Sequence, residues 1–416
     1  MLTTLLATVA LAVSGLILVY RCGSQQKVLG ASLFAYCAQL LVVLLIFTNL
    51  GLVADDITYH RESLLIAQAH QLGFEPMIRD DLIGRQAFFR VVGYLYFLFG
   101  AHPILGLVLV PTLMGLIPAI LAYSARNFEL DRSVTLSAWL SAALPPFFLW
   151  APWLRREALV FFLLAATVMG ISLIYRSRFL TGIGILLFVI LALRYTRTQL
   201  ILDVVAGLAV VLFVVTLRKA SSRLSRTLIG VVTLIIIAGG AVLSPKLLAL
   251  SGTQNLLTPT LDSIVASNSS VAENLRVSGV SGAYNTSPTG FGINLIRSLF
   301  GPFPWEWQNL AWIVAGLEGL LLLGATVLIG WALIRVPQSR APAVILLAAL
   351  FPLIAGTAYT LANYGIVMRV RAHYYLFLIP IMAAGLTSAL GTIRPYVESR
   401  LQTRSVEHAE IVSEPD

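Results

Sequence analysis

Runs of about twenty uncharged, apolar residues recur along this chain, and they decide its fold class before any motif is read. A helix rises about 1.5 Å per residue, so roughly 20 residues cross a hydrocarbon core about 30 Å thick. Within that core every backbone N–H and C=O must be satisfied by the chain itself, which leaves helices and closed barrels. The runs here are continuous, not alternating, and that excludes a strand barrel. They fall at approximately 2–19, 30–53, 103–124, 133–150, 157–175, 180–193, 198–217, 227–244, 309–334, 342–362 and 373–392. The expected fold is therefore all-α: a polytopic transmembrane helix bundle of about eleven spans, with juxtamembrane helices on its outer face. A composition of 58% hydrophobic and 11% charged residues agrees with it.

The first run has no basic region before it and no small-residue cleavage site after it, and reads as a retained span. The stretch from Ala87 to Gly100 is short for a span and carries Arg90, which fits a surface helix. Sidedness follows from the basic residues of the connections. Arg21, Lys27, Arg126, Arg132, Arg176, Arg178, Arg218, Lys219, Arg223, Arg226, Arg335, Arg340 and the tail share one side, assigned to the cytoplasm. Residues 1–392 then form the bundle, 54–102 and 245–308 are long outer loops, and 393–416 is a polar, disordered cytoplasmic tail. The net charge of +9 bears on the membrane faces and not on nucleic acid, because no soluble basic domain exists. Cys22 and Cys37 give neither a disulfide framework nor a metal-ligand spacing.

The chemistry collects on the outer side. Asp55 and Asp56 stand together where the second span leaves the membrane. Ionisable residues at such a boundary are costly without a use, and paired carboxylates suit a base or an oxygen site for Mg²⁺ or Mn²⁺. No cofactor is required by the sequence. Three outer connections each carry two arginines, on the side that should be depleted of them: Arg155 and Arg156, Arg194 and Arg197, Arg369 and Arg371. Arginine grips phosphate through two parallel bonds and keeps its charge in a partly apolar site. These six suit a lipid-linked diphosphate whose tail stays in the bilayer, or lipid phosphates at the membrane surface. Glu157 is expected to pair with Arg156, and Asp203 with Arg194 or Arg197. Glu318 lies inside a span, where a carboxylate is expensive. His60 and His373 are further outer-face candidates. The aromatic elbow from Phe300 to Trp307, with Trp305 at its centre, reads as a membrane-surface turn or a platform for a sugar face.

The order of elements resembles the bacterial membrane glycosyltransferases of the GT-C type, which use polyprenyl-phosphate-linked sugars. The matching pieces are Asp55-Asp56-Ile57-Thr58-Tyr59, the segment from Gly93 to Gly100, a span ending in Leu121–Ala125, the Leu144–Trp150 stretch ahead of Leu154-Arg155-Arg156-Glu157, the elbow Gly301–Trp305 and the segment Arg369–Pro380. The late segments also look like those of polysaccharide repeat-unit polymerases. The resemblance implies a multi-pass protein of the bacterial cytoplasmic (inner) membrane with its active face outside, acting in envelope polysaccharide assembly. Asp55 or Asp56, with His60, would be catalytic, and one carboxylate would serve an inverting displacement as base. Tyr59, Glu157, Trp305, His373 and the six arginines would bind a polyprenyl-(di)phosphate-linked donor and a glycan acceptor. Membrane lipids and other assembly proteins are the remaining expected partners. A repeat-unit polymerase or ligase needs the same constellation. A polysaccharide or lipid transporter would place its charges at mid-membrane, and a non-catalytic scaffold would tolerate loss of the Asp pair.

Overall fold

In the computed structural model, described for residues 2–52, 54–76, 86–197, 200–219, 288–307, 310–359 and 364–413, every regular element among those residues is helical. The helices are α1 (Leu2–Gln25), α2 (Leu29–Leu50), α3 (Ala54–Gln71), α4 (Gln86–Phe99), α5 (Ile104–Leu107), α6 (Leu109–Asn127), α7 (Val134–Ala143) and α8 (Pro145–Trp150). They continue with α9 (Glu157–Tyr175), α10 (Phe179–Arg194), α11 (Ile201–Lys219), α12 (Pro288–Phe300), α13 (Leu310–Arg335), α14 (Arg340–Tyr359) and α15 (Tyr364–Ser413).

Among the described residues, eight helical stretches are long and apolar enough to cross a membrane: Leu2–Gln25, Leu29–Leu50, Ile104–Asn127, Asp131–Trp150, Glu157–Tyr175, Trp312–Arg335, Pro337–Ala358 and Val367–Thr392. Each coincides with an expected span. The runs read at 180–193 and 198–217 are helical as α10 and α11 but shorter than those eight. The run at 227–244 lies outside the described residues. Within the loop read at 245–308 the described part is 288–307, and α12 forms its first thirteen residues. α15 carries helical backbone well past residue 392, through the segment expected as a disordered tail.

Proline sets the local breaks. Leu144 precedes Pro145 and takes an extended backbone (φ −64°, ψ 125°), as a residue before proline must, so α7 stops and α8 restarts with proline in its first turn. Pro118 and Pro352 sit inside α6 and α14, where neighbouring helices can satisfy the backbone groups they free.

α9 is the central helix, with sixteen of its nineteen residues buried, among them Val160, Phe161, Leu164 and Ile171. Lipid tails are as apolar as leucine, so such helices associate through close van der Waals fit. Gly182 of α10 shows how close: a Cβ there would lie 2.8 Å from the Gly170 carbonyl oxygen of α9. By contrast α1 turns Leu5, Leu6, Val9, Val13 and Ile17 outward, the surface a lipid-facing helix presents.

α3 is too polar to span. It pairs with α4 through Tyr59, whose ring meets Phe88 and Phe89 edge-on at 5.7 and 4.8 Å. The Ala87 N–H donates to Tyr195 O at 3.0 Å, tying α4 to the turn after α10. This hairpin brings the start of α3 beside the start of α9.

Candidate functional site

The beginning of α3, the Ala151–Arg156 bend, the start of α9, the turn after α10 and the first turns of α15 meet at one end of the bundle. Asp56 is buried at 2% exposure, and its Oδ1 accepts from Arg155 Nε at 2.8 Å. Asp55 is half exposed, with Oδ2 3.5 Å from Arg155 Nη1 and 3.7 Å from Arg369 Nη2. Arg369 Nη1 also reaches Glu157 Oε1 at 3.3 Å. Three carboxylates and two guanidinium groups thus form one continuous network. Its arginines lie over indole rings, Arg155 over Trp153 and Arg369 over Trp150, each 5.3 Å from the ring centre. Cation–π contact holds both heads in place from the apolar side. The sequence reading gave no role to these tryptophans, although both closely precede the Arg155-Arg156 pair in the chain.

The expected partners differ in detail. Glu157 binds Arg369 and not its neighbour Arg156, which donates instead to Thr196 O at 2.6 Å. Arg156 is the residue before α9 and Glu157 its first, so the two side chains leave the backbone in different directions. Asp203 Oδ1 accepts the Leu353 N–H at 2.8 Å, and Arg197 acts on the same carboxylate electrostatically. Arg194 is exposed and lies over the Tyr195 ring.

Arg197 is 7% exposed, and its Nε and Nη1 have no hydrogen-bond partner among the described residues. Burial, with Arg156 as the next cause, pushes its pKa down to about 10, so it remains charged at neutral pH. Glu157, Arg369 and Tyr59 also act on it, which ties it to the network.

Arg371 faces the other way. It is fully buried and donates to Ser298 O (2.7 Å), Arg297 O (2.8 Å), Ala315 O (3.1 Å) and Gly301 O. The sequence reading took residues 363–373 as a connection, in which Arg369 and Arg371 are equivalent. Here they lie on α15, and residues two apart on a helix point to opposite sides. His373, four residues after Arg369, returns to the Arg369 side. It is fully buried against the Phe161 ring at 5.1 Å, with Nδ1 3.2 Å from Val370 O and Nε2 unpartnered.

His60 sits behind the network, its Nδ1 2.8 Å from the Tyr96 hydroxyl. Its pKa is lowered by burial and then by His102. Trp305 stacks on Phe303 at 4.9 Å and stands open at 79% exposure. The elbow around it is held by Arg371 and by an Arg297–Glu306 pair at 2.9 Å. Glu318 is buried, with Arg371 and Trp150 acting on its carboxylate. At the opposite face a cavity of about 570 Å³ is lined by Glu129, Asp131, Arg132 and Arg335, and includes none of the network.

A divalent ion fits this donor set poorly. Asp55 and Asp56 both face Arg155, and among the described residues no three His, Cys, Asp or Glu side chains gather as metal ligands. The arrangement is instead an exposed carboxylate fixed by guanidinium groups, beside the buried Arg197.

Fold and site define a class: a multi-pass helical membrane protein with a charged network at one end of its bundle. No family model, curated protein or solved structure matches the chain.

Proposed function

We propose that the protein is a membrane glycosyltransferase that takes a sugar from a polyprenyl-phosphate-linked donor, with Asp55 as general base. The observation that carries the reading is the split between the two aspartates. Asp56 is buried on Arg155, whereas Asp55 keeps about half its side chain open and is aimed by Arg155 and Arg369. A base must reach its substrate, and Asp55 can.

In the proposed reaction an acceptor hydroxyl gives its proton to Asp55 and its oxygen attacks the anomeric carbon. The bond from that carbon to the donor's phosphate oxygen breaks, the phosphate leaves with the electron pair, and the configuration inverts. Arg369 and Arg197 meet the negative charge that develops on the leaving group, which fixed cations do at no reorganisation cost. Trp153 and Trp150 keep the arginines from collapsing onto the acceptor. No step runs through a metal.

The full bundle in this proposal has about eleven spans, counting α10, α11 and the run at 227–244. The α3–α4 hairpin lies on its outer surface, and the network faces outward from the bacterial inner membrane, where envelope polysaccharide is assembled. Support for that orientation comes from the Lys and Arg of the opposite connections.

The test is the profile of lipid-linked intermediates in cells lacking the gene, complemented with native protein or Asp55→Asn. Accumulation of an intermediate that native protein clears and the inserted variant does not supports the reading. A stalled whole repeat unit identifies a polymerase, and a chain one sugar short identifies a transferase. A native profile from Asp55→Asn overturns it.

A further inference from the structure

We infer that the cavity at the end of the bundle opposite the network is a seat for the headgroup of an anionic phospholipid, held by its phosphodiester and by the hydroxyls beyond it. No residue of this seat belongs to the network, so it stands or falls apart from the glycosyl-transfer reading.

Where the cavity lies limits what can fill it. Its charged lining, Glu129, Asp131, Arg132 and Arg335, comes from the α6–α7 connection and the last residue of α13, all at the ends of candidate spans. Its other wall is one face of α15, where Ala384, Thr387, Ser388 and Gly391 follow at helical spacing. That span runs to Thr392, so Ala384 lies about 12 Å inside its end along the helix. The cavity of about 570 Å³ therefore reaches from the charged rim into the depth of the acyl chains. Gly391 keeps the mouth open, with no heavy atom within 4 Å of where a Cβ would stand. A soluble anion would use only the rim. A phospholipid headgroup with the first part of its chains uses both.

The lining supplies the chemistry. Arg132 and Arg335 come from separate connections, and among the described residues neither enters an ion pair. Arg335 lies over the Trp331 ring, 5.2 Å from its centre, which holds the head in place without using its donors. Two guanidinium groups lining one cavity suit the non-bridging oxygens of a phosphodiester. Glu129 opposes them little, because Arg176 Nη1 lies 2.6 Å from its Oε1. Arg132, Arg335 and Arg176 against Glu129 and Asp131 leave a positive surplus, which favours an anionic headgroup over a zwitterionic one. Asp131 and the Ser388 hydroxyl can accept from hydroxyl donors, which a glycerol headgroup carries and a bare phosphodiester does not. Basic pockets between spans are places where anionic headgroups are held.

The measurement is binding to full-length protein in neutral detergent of three probes: short-chain phosphatidylglycerol, phosphatidylcholine with the same chains, and glycerol phosphate. Phosphatidylglycerol should bind at least about tenfold tighter than either of the others. Arg132→Gln and Arg335→Gln should each weaken it about tenfold, and together they should abolish the preference over phosphatidylcholine. Both side chains are exposed, so the unfolding temperature without lipid should hold. Arg21→Gln removes another exposed arginine, at the same end of the bundle but outside the cavity, and should leave binding unchanged. That contrast separates a seat from the general attraction of a basic surface. Ser388→Phe fills the cavity at constant charge and should also lose binding, and the arginine variants decide the matter even if it does not fold. Equal binding of phosphatidylcholine, an equal loss in Arg21→Gln, or native binding by the double arginine variant overturns the inference. Glycerol phosphate binding as tightly as the lipid overturns it too, since the cavity would then read a soluble phosphate ester and not the membrane.

Discussion

Arg155 Nε donates to Asp56 Oδ1 at 2.8 Å, and this bond gives different work to two carboxylates adjacent in the chain. Removing one partner of a buried ion pair leaves the other charged and alone, at a cost of about 3–5 kcal/mol. Asp56→Ala should therefore lower the unfolding temperature of the purified protein markedly. Asp55→Asn should leave that temperature unchanged and reduce transfer by about 100- to 10,000-fold, the range for loss of a general base. Paired thermal melts and transfer assays separate the two. Equal stability losses in both variants would contradict the division of roles.

His60 gives the pH dependence a sign. Burial, then His102, holds its pKa below the ordinary histidine value, so the fold keeps it neutral against Tyr96 while the unfolded chain takes up a proton near pH 6.5. The unfolded state then binds more protons as pH falls, and stability declines with it. The contribution is fully present above about pH 6.5 and is lost as pH falls from there through the lower folded value. Melts at pH 7.5 and 5.5 should show a smaller drop for His60→Gln than for native protein. An identical drop would remove His60 from the account.

The bundle was legible because length and apolarity act residue by residue and need no partner. The six arginines were not, because what a guanidinium does depends on which acceptor the fold brings to it. As a connection, residues 363–373 made Arg369 and Arg371 interchangeable. As the first turns of α15 they oppose each other, and only Arg369 and His373 share the Asp55 side. Helical spacing would have revealed this had the helix been started at Tyr364. Thr196 was invisible for another reason: it takes part through its backbone carbonyl, which any residue would offer. The Asp pair itself was found from local sequence, yet the choice between its members came only from the approach of Arg155, 99 residues away.

Arg371 should behave as a tether of the elbow. Its donors reach four backbone carbonyls on α12, the Gly301 turn and α13, and hydrogen bonds to a charged group contribute about 1.5–3 kcal/mol each. Lysine places its donors on one atom and cannot span that arc. Arg371→Lys should lower the unfolding temperature and speed proteolysis between residues 301 and 307, while the protein that remains folded keeps its affinity for the donor. Loss of affinity at native stability would return Arg371 to the binding role its sequence position implied.

Asp203 tests how the bundle accommodates a proline. Pro352 removes one backbone donor from α14 and its ring disturbs the carbonyl four residues earlier, so the helix ladder is broken at the next turn. The Leu353 N–H turns to Asp203 Oδ1 on α11, and the carboxylate thereby joins two helices at a point where neither could satisfy itself. Asparagine offers the same acceptor, whereas alanine offers none. Asp203→Ala should cost about 1–3 kcal/mol, the penalty for a buried donor left unmade, and Asp203→Asn should cost less. If the role is the proline break, replacing Pro352 with alanine should restore much of the loss, because the ladder then closes without help. A double-mutant cycle on unfolding temperature measures that coupling, and additive losses would show that Asp203 serves something other than the break in α14.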